Sequence, residues 1–150
     1  MTVTNIQDDH HVVRHCKARQ YFLKDGKIIP YPSAFHLKPA TLTAPAEDSL
    51  SAVYYEWFDG THAEKMKACC HFIRMEIKNK DALLRLSSGL IKKQGLATKQ
   101  RLRVTHEPND DCQAYAAIRG LTLAPNDELC ALLATVSLID AFDRSTIDAL

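Results

Sequence analysis

The stretch from Ser49 to Ile77 sets the tightest limits on what this chain can fold into, because apolar residues recur there at helical spacing on both sides of a turn signal. Leu50, Val53, Tyr54, Trp57 and Phe58 stand at i, i+3, i+4, i+7 and i+8, which would put all five on one stripe of a helix. Asp59-Gly60 interrupts the pattern, and Gly60 accepts a left-handed C-cap at least cost. Thr61 and Glu64 then match a capping box, in which each side chain satisfies a backbone N–H of the other. Met66, Cys69, Cys70, Ile73 and Ile77 continue at the same spacing. The spacing predicts two helices whose apolar stripes face each other as a hairpin.

Strand signals surround this hairpin. His11 to Cys16 (HVVRHC) has β-branched residues at its centre. Tyr21 to Leu23 and Ile28-Ile29 flank Lys24-Asp25-Gly26-Lys27, where D-G supplies the positive φ of a tight turn, so strand, turn, strand is expected. Pro30-Tyr31-Pro32 stops that run, and Ala34 to Leu37 predicts a brief extended piece. Lys38 to Asp48, with Pro39 and Pro45, reads as a surface connection. Leu83, Leu84 and Leu86 are apolar without a period that decides helix or strand, and Lys92 to Gln100, basic with Gly95 inside, reads as a loop or frayed turn.

Leu102 to Thr105 alternates as a strand, HEPNDDC (106–112) as a loop, and Ala116 to Leu123 as an antiparallel return. Asn126 or Asp127 caps a last helix carrying Leu129, Leu132, Leu133, Val136 and Ile139, its apolar face widened by Leu138 and Phe142. The whole predicts a single α+β domain over 1–150, a small mostly antiparallel sheet packed against a helical hairpin and a C-terminal helix, with 1–9 as a flexible leader.

Hydrophobic residues at 46% and charged ones at 25% of 150 residues suit one buried core. The start, MTVTNIQDDHH, has neither a basic nor an apolar signal region, and the apolar run Leu129 to Ile139 falls short of the ~20 residues of a bilayer span. A cytoplasmic protein without membrane contact is expected. Five cysteines (16, 69, 70, 112, 130) show no C-x-x-C spacing, which predicts reduced, packing thiols. Net charge is +1, but residues 1–59, 60–104 and 107–150 carry −1, +8 and −6. A basic middle before an acidic tail implies either an anionic partner or internal pairing.

The five glycines (26, 60, 89, 95, 120) cannot write a Rossmann or P-loop fingerprint, and neither G-x-S-x-G nor H-E-x-x-H occurs. Histidine is the residue type left to carry chemistry. His11 and His15 share a face if their segment is a strand, and a metal would need a third ligand such as His106 or Asp111. Zinc sites announce themselves by short-spaced pairs, so no metal or other cofactor is expected.

His106 ends a strand before an acidic loop, where Asp110 or Asp111 would raise its pKa and fix its tautomer, with Arg103 or Arg119 as an anion clamp. That constellation would make a small hydrolase or nuclease. Lys67, His71, Arg74 and Lys78 at i, i+4, i+7 and i+11 form an outer basic stripe that could contact nucleic-acid phosphates. Tyr54, Tyr55 and Trp57 concentrate aromatic surface of the kind that anchors protein interfaces.

Three stretches together resemble an uncharacterised family of small bacterial proteins: HVVRHCKARQ with DGKIIPYPSAF, EDSLSAVYYEWF, and RVTHEPNDD followed by AAIRG. In that family an N-terminal V-R strand, an L-S-V-x-W-L-E-x-F-like segment and an H-x-P loop ending in S-H-A occur in this order. Tyr115 stands where the loop's second histidine would fall. The resemblance implies no activity. The absence of every strong catalytic motif favours a non-enzymatic interaction or accessory module, joined to another protein or to a second copy, over nucleic-acid binding by 60–104 and over chemistry at His106.

Overall fold

A computed structural model describes residues 2–73, 77–78 and 80–137, and the backbone of 141–143. Its strands are β1 (Thr4–Asn5), β2 (His11–Cys16), β3 (Tyr21–Lys24), β4 (Lys27–Pro30), β5 (Ser49–Tyr54), β6 (Ala82–Ser87), β7 (Arg103–His106), β8 (Tyr115–Arg119) and β9 (Ala141–Asp143). Its helices are α1 (His62–Phe72), α2 (Ser88–Ala97) and α3 (Asp127–Val136). Seven strands make one antiparallel sheet in the order β1-β7-β8-β5-β2-β6-β9, and β3-β4 form a separate ribbon. The α+β class is as expected from the sequence. No helix among the described residues is long and apolar enough to cross a membrane.

The helical hairpin is not there. Ser49–Tyr54 is a central strand, followed by a 3-10 turn over Tyr55–Trp57, and only the second predicted helix forms. The reason is burial on both faces: Leu50 and Ala52 join one core cluster and Val53 the other, so apolar residues at i, i+2 and i+3 fit a helix stripe as well as a two-faced strand. Thr61 does open α1 with the capping box: its hydroxyl accepts the Glu64 N–H at 3.2 Å. Helix α1 ends at Phe72, so Ile73 is its C-cap and Ile77 lies beyond it.

Leu83, Leu84 and Leu86 belong to β6, and the segment read as a basic loop is α2, capped by Ser87, whose hydroxyl accepts from Leu90 N–H. Ala34 to Leu37 is not extended: Pro32–Phe35 is a 3-10 turn. The leader is anchored, with β1 paired to β7 and Ile6 only 2% exposed. The hairpin at Asp25-Gly26 forms with φ of 53° and 75°, the primed turn that matches strand twist. Asn126 caps α3 by accepting from Leu129 N–H. Leu138, Ile139 and Asp140 lie outside the described residues.

Two cores sandwich the sheet. Val12, Cys16, Leu84, Leu86, Ile118 and Val104 meet Ile91 of α2 and Leu129, Cys130 and Leu133 of α3, closed by Phe35. On the opposite face Val13, Val53 and Leu83 meet Met66, Cys69 and Cys70 of α1. Strand alternation therefore decides which residues of β2 can reach which face.

Candidate functional site: a cationic cleft where the central strands part

Strand β2 pairs with β6 at all six positions from His11↔Ser87 to Cys16↔Ala82, and β5 pairs with β8 at five. Between themselves β2 and β5 pair only at Val12↔Tyr54 and Val13↔Val53. Beyond that point the two strands part, and backbone groups of β5 lose their ladder partners. Arg14 fills the gap, its guanidinium donating to the carbonyl oxygens of Ser51 and, at 3.3 Å, Ala34.

A cavity of about 280 Å³ occupies the opening, lined by Arg14, His15, Lys17, Arg19 and Lys38, by Val53, Phe72, Ile73 and Tyr115, and by Glu47, the one carboxylate among its described lining residues. Glu47 is tied to the connection that carries it, accepting from Lys38 N–H at 2.7 Å. Among the described residues no carboxylate lies within ion-pair distance of Arg14. Burial lowers its pKa to about 10, against the pull of Glu47, so it remains a cation at neutral pH. Burial, and then repulsion from Lys38 and Arg19, also lowers that of Lys17. Cations crowded at one opening with one engaged carboxylate make a site whose electrostatics favour an anion.

His15, the next residue of β2, also lines this cavity. Its Nε2 lies 2.8 Å from Asp81 Oδ2, and the two side chains are 7% and 6% exposed. Asp81 also accepts from the N–H groups of Ala18 at 3.0 Å and Lys78 at 3.1 Å. Burial works to raise the Asp81 pKa, but these three hydrogen bonds outweigh it and hold the carboxyl below its ordinary value. An ionised carboxylate only accepts, which places an imidazole proton on Nε2 and makes Nδ1 the nitrogen that carries the lone pair in the neutral ring.

The residues singled out from sequence lie elsewhere. His106 Nε2 donates to the Gln113 carbonyl at 2.7 Å, and its ring is flanked by Tyr54 and Trp57 with centroids 5.1 Å away in each case. Asp110 and Asp111 are exposed on a loop turned by Asn109, whose side chain accepts from Asp111 and Cys112 N–H, so the structure does not give His106 a carboxylate on that loop. Arg119 is engaged by Glu107 at 2.5 and 2.6 Å, bonds that are the leading cause of the lowered Glu107 pKa. Arg103 is exposed on β7.

Tyr54 hydrogen-bonds His10, Tyr55 is buried beneath Arg85 and Lys65, and Trp57 is 47% exposed. Lys67 and His71 are exposed on α1, but Lys78 follows the end of the helix and Arg74 lies outside the described residues, so the four do not make one helical stripe. His11 turns to Glu56 and His15 to Asp81, and among the described residues no three His, Cys, Asp or Glu side chains converge as metal ligands. The five thiols are buried and none is in a disulfide, with burial pushing Cys16 and Cys69 up to about 12.

Arg14, Lys17, Arg19 and Lys38 escaped the sequence reading, and His15 entered it only as a metal-ligand candidate. A signal was present in HVVRHC, where an arginine and a histidine continue a β-branched run into a strand that must bury its neighbours. Comparison of the chain with protein-family models, curated proteins and solved structures finds no match.

Proposed function

We propose that this protein binds a small organic phosphate in the cleft between β2 and β5. The observation that supports it is Arg14: a partly buried guanidinium at the parting of two central strands, with carbonyls and, among the described residues, no carboxylate for partners, facing a cavity that it shares with three further Lys and Arg side chains. A planar fork suits bidentate phosphate recognition, and the apolar wall of Val53, Phe72, Ile73 and Tyr115 suits a ligand with an organic body. Calorimetric titration with 5′-AMP and with inorganic phosphate tests the reading. Saturable binding should weaken about tenfold or more in Arg14→Met and in Lys38→Met, since a charge-assisted hydrogen bond contributes ~1.5–3 kcal/mol. No heat and no thermal stabilisation at millimolar ligand would refute it.

A second reading, an interaction surface for another protein or a second copy, draws on one observation. Trp57 is 47% exposed although it packs on His106. Aromatic side chains held rigid at a surface are typical interface anchors. Light scattering of wild type against Trp57→Ser, together with partner capture using the same pair, tests it; a strict monomer that captures the same proteins as the variant would remove this reading.

A further inference from the structure

We infer that the cleft hydrolyses a nucleotide-sized phosphodiester, with His15 as general base toward water and Lys17 as proton donor to the departing oxygen. The inference rests on the reading of the cleft as an organic-phosphate site and adds chemistry to it. Its first support is the His15–Asp81 pair: the carboxylate fixes the proton on Nε2, and Nδ1, on a residue that lines the cleft, has no hydrogen-bond partner among the described residues. An imidazole with one nitrogen held by a buried carboxylate and the other left with its lone pair at a cavity is the arrangement general-base catalysis needs.

The second support is charge. Attack of water on a phosphodiester raises the charge on the phosphoryl oxygens from one towards two, and Arg14, Arg19 and Lys38 line the cavity where that charge would develop. The third is Lys17, on the same lining, whose proton is loosened by burial and by the neighbouring cations Lys38 and Arg19. The cavity of about 280 Å³ lies near the lower limit of small-molecule sites, which selects a mononucleotide-sized ester over a polymer.

The step balances without an external reagent. Water oxygen bonds to phosphorus as its proton passes to His15 Nδ1, and the resulting imidazolium is stabilised by Asp81. The ester P–O bond breaks, and its oxygen leaves as an alcohol with a proton from the Lys17 ammonium. His15 then returns a proton to solvent and Lys17 regains one. One water is consumed, and a phosphate monoester and an alcohol are formed. Asp81 is a positioning residue here, acting through His15.

The test uses the whole chain with two probes, adenosine 2′,3′-cyclic phosphate and bis(p-nitrophenyl) phosphate, alongside calorimetry with 5′-AMP. Turnover of both by the wild type is expected, with a loss of roughly 100-fold or more in His15→Ala. Lys17→Met should slow the cyclic nucleotide, whose alkoxide must be protonated, at least about tenfold more than the nitrophenyl ester, whose phenolate leaves without a proton. That split stays readable if His15→Ala does not fold. Asp81→Asn should move the midpoint of the kcat pH profile to lower pH, a displacement that a purely structural role would not produce.

AMP binding that depends on Arg14, with no turnover of either diester, would overturn the hydrolysis while leaving the binding reading in place. Absence of both binding and turnover would remove both. Equal slowing of the two probes in Lys17→Met, or turnover in a folded His15→Ala within threefold of wild type, would also overturn the assignment of roles.

Discussion

Asp81 offers the sharpest test of how the cleft is held together. Its side chain, on a residue 4% exposed, takes three donors at once: His15 Nε2 from β2 at 2.8 Å, Ala18 N–H after it at 3.0 Å, and Lys78 N–H from the approach to β6 at 3.1 Å. Asp81→Ala removes the acceptor for all three. A buried donor left without a partner costs ~1–3 kcal/mol, but Ala18 and Lys78 lie at exposed positions where water can partly replace the lost carboxylate. Taking the lower half of that range for each donor gives about 3–6 kcal/mol.

Urea unfolding followed by circular dichroism reads that loss directly, and a change below about 1 kcal/mol would refute the account. The pH dependence supplies a second check. The folded-state pKa of Asp81 lies below the ~3.9 of an unfolded aspartate. Its ionic contribution is therefore complete above about pH 5 and disappears as pH falls through the folded value. The stability difference between wild type and Asp81→Asn should close as pH falls from about 5 to below about 4; a gap unchanged at pH 3 would show that charge is not what holds these donors.

Three further outcomes are expected. Gly95→Ala should destabilise by about 1–2 kcal/mol in urea titration despite the ~1 kcal/mol helix-propensity gain, because a Cβ there would stand 2.5 Å from the Gln100 carbonyl oxygen and 2.8 Å from Leu102 Cγ. Thr61→Ala should cost about 1 kcal/mol by the same assay, since it deletes the acceptor for the Glu64 N–H at the start of α1. Ellman's reagent should release less than one thiol promptly from native protein and all five in urea, because every cysteine is buried and Cys16 and Cys69 ionise only near about 12; prompt native release of two or more would contradict that burial.

Local chemistry made part of this fold readable before any coordinates. Asp25-Gly26 announced its hairpin because these two adjacent residues carry the whole positive-φ turn, and Thr61 with Glu64 and Asn126 announced helix starts because a cap needs only three neighbours in sequence. Leu50 to Phe58 misled for a physical reason. A strand buried on both faces has no single polar side, so its apolar positions can coincide with a helix stripe, and what settles it is pairing with β2 and β8, far away in sequence. Helix α2 hid behind Lys92, Lys93 and Gly95, a glycine kept not for a turn but for the approach of Gln100 and Leu102.

The site was less legible still, since the partners that give its residues meaning are remote: Asp81 is 66 positions from His15, and Ser51 is 37 from Arg14. Yet its location follows from strand physics. A central strand tolerates Arg14 and His15 only where their polar groups meet acceptors, and a continuous ladder would have used the Ser51 carbonyl for pairing. Strands β2 and β5 stop pairing one residue before Arg14, after Val13↔Val53. Closing that ladder would bury a guanidinium against a β5 strand with no free carbonyl to receive it, at a cost of several kcal/mol. The parting of the strands and the charge between them are therefore one feature, and the cavity is its consequence.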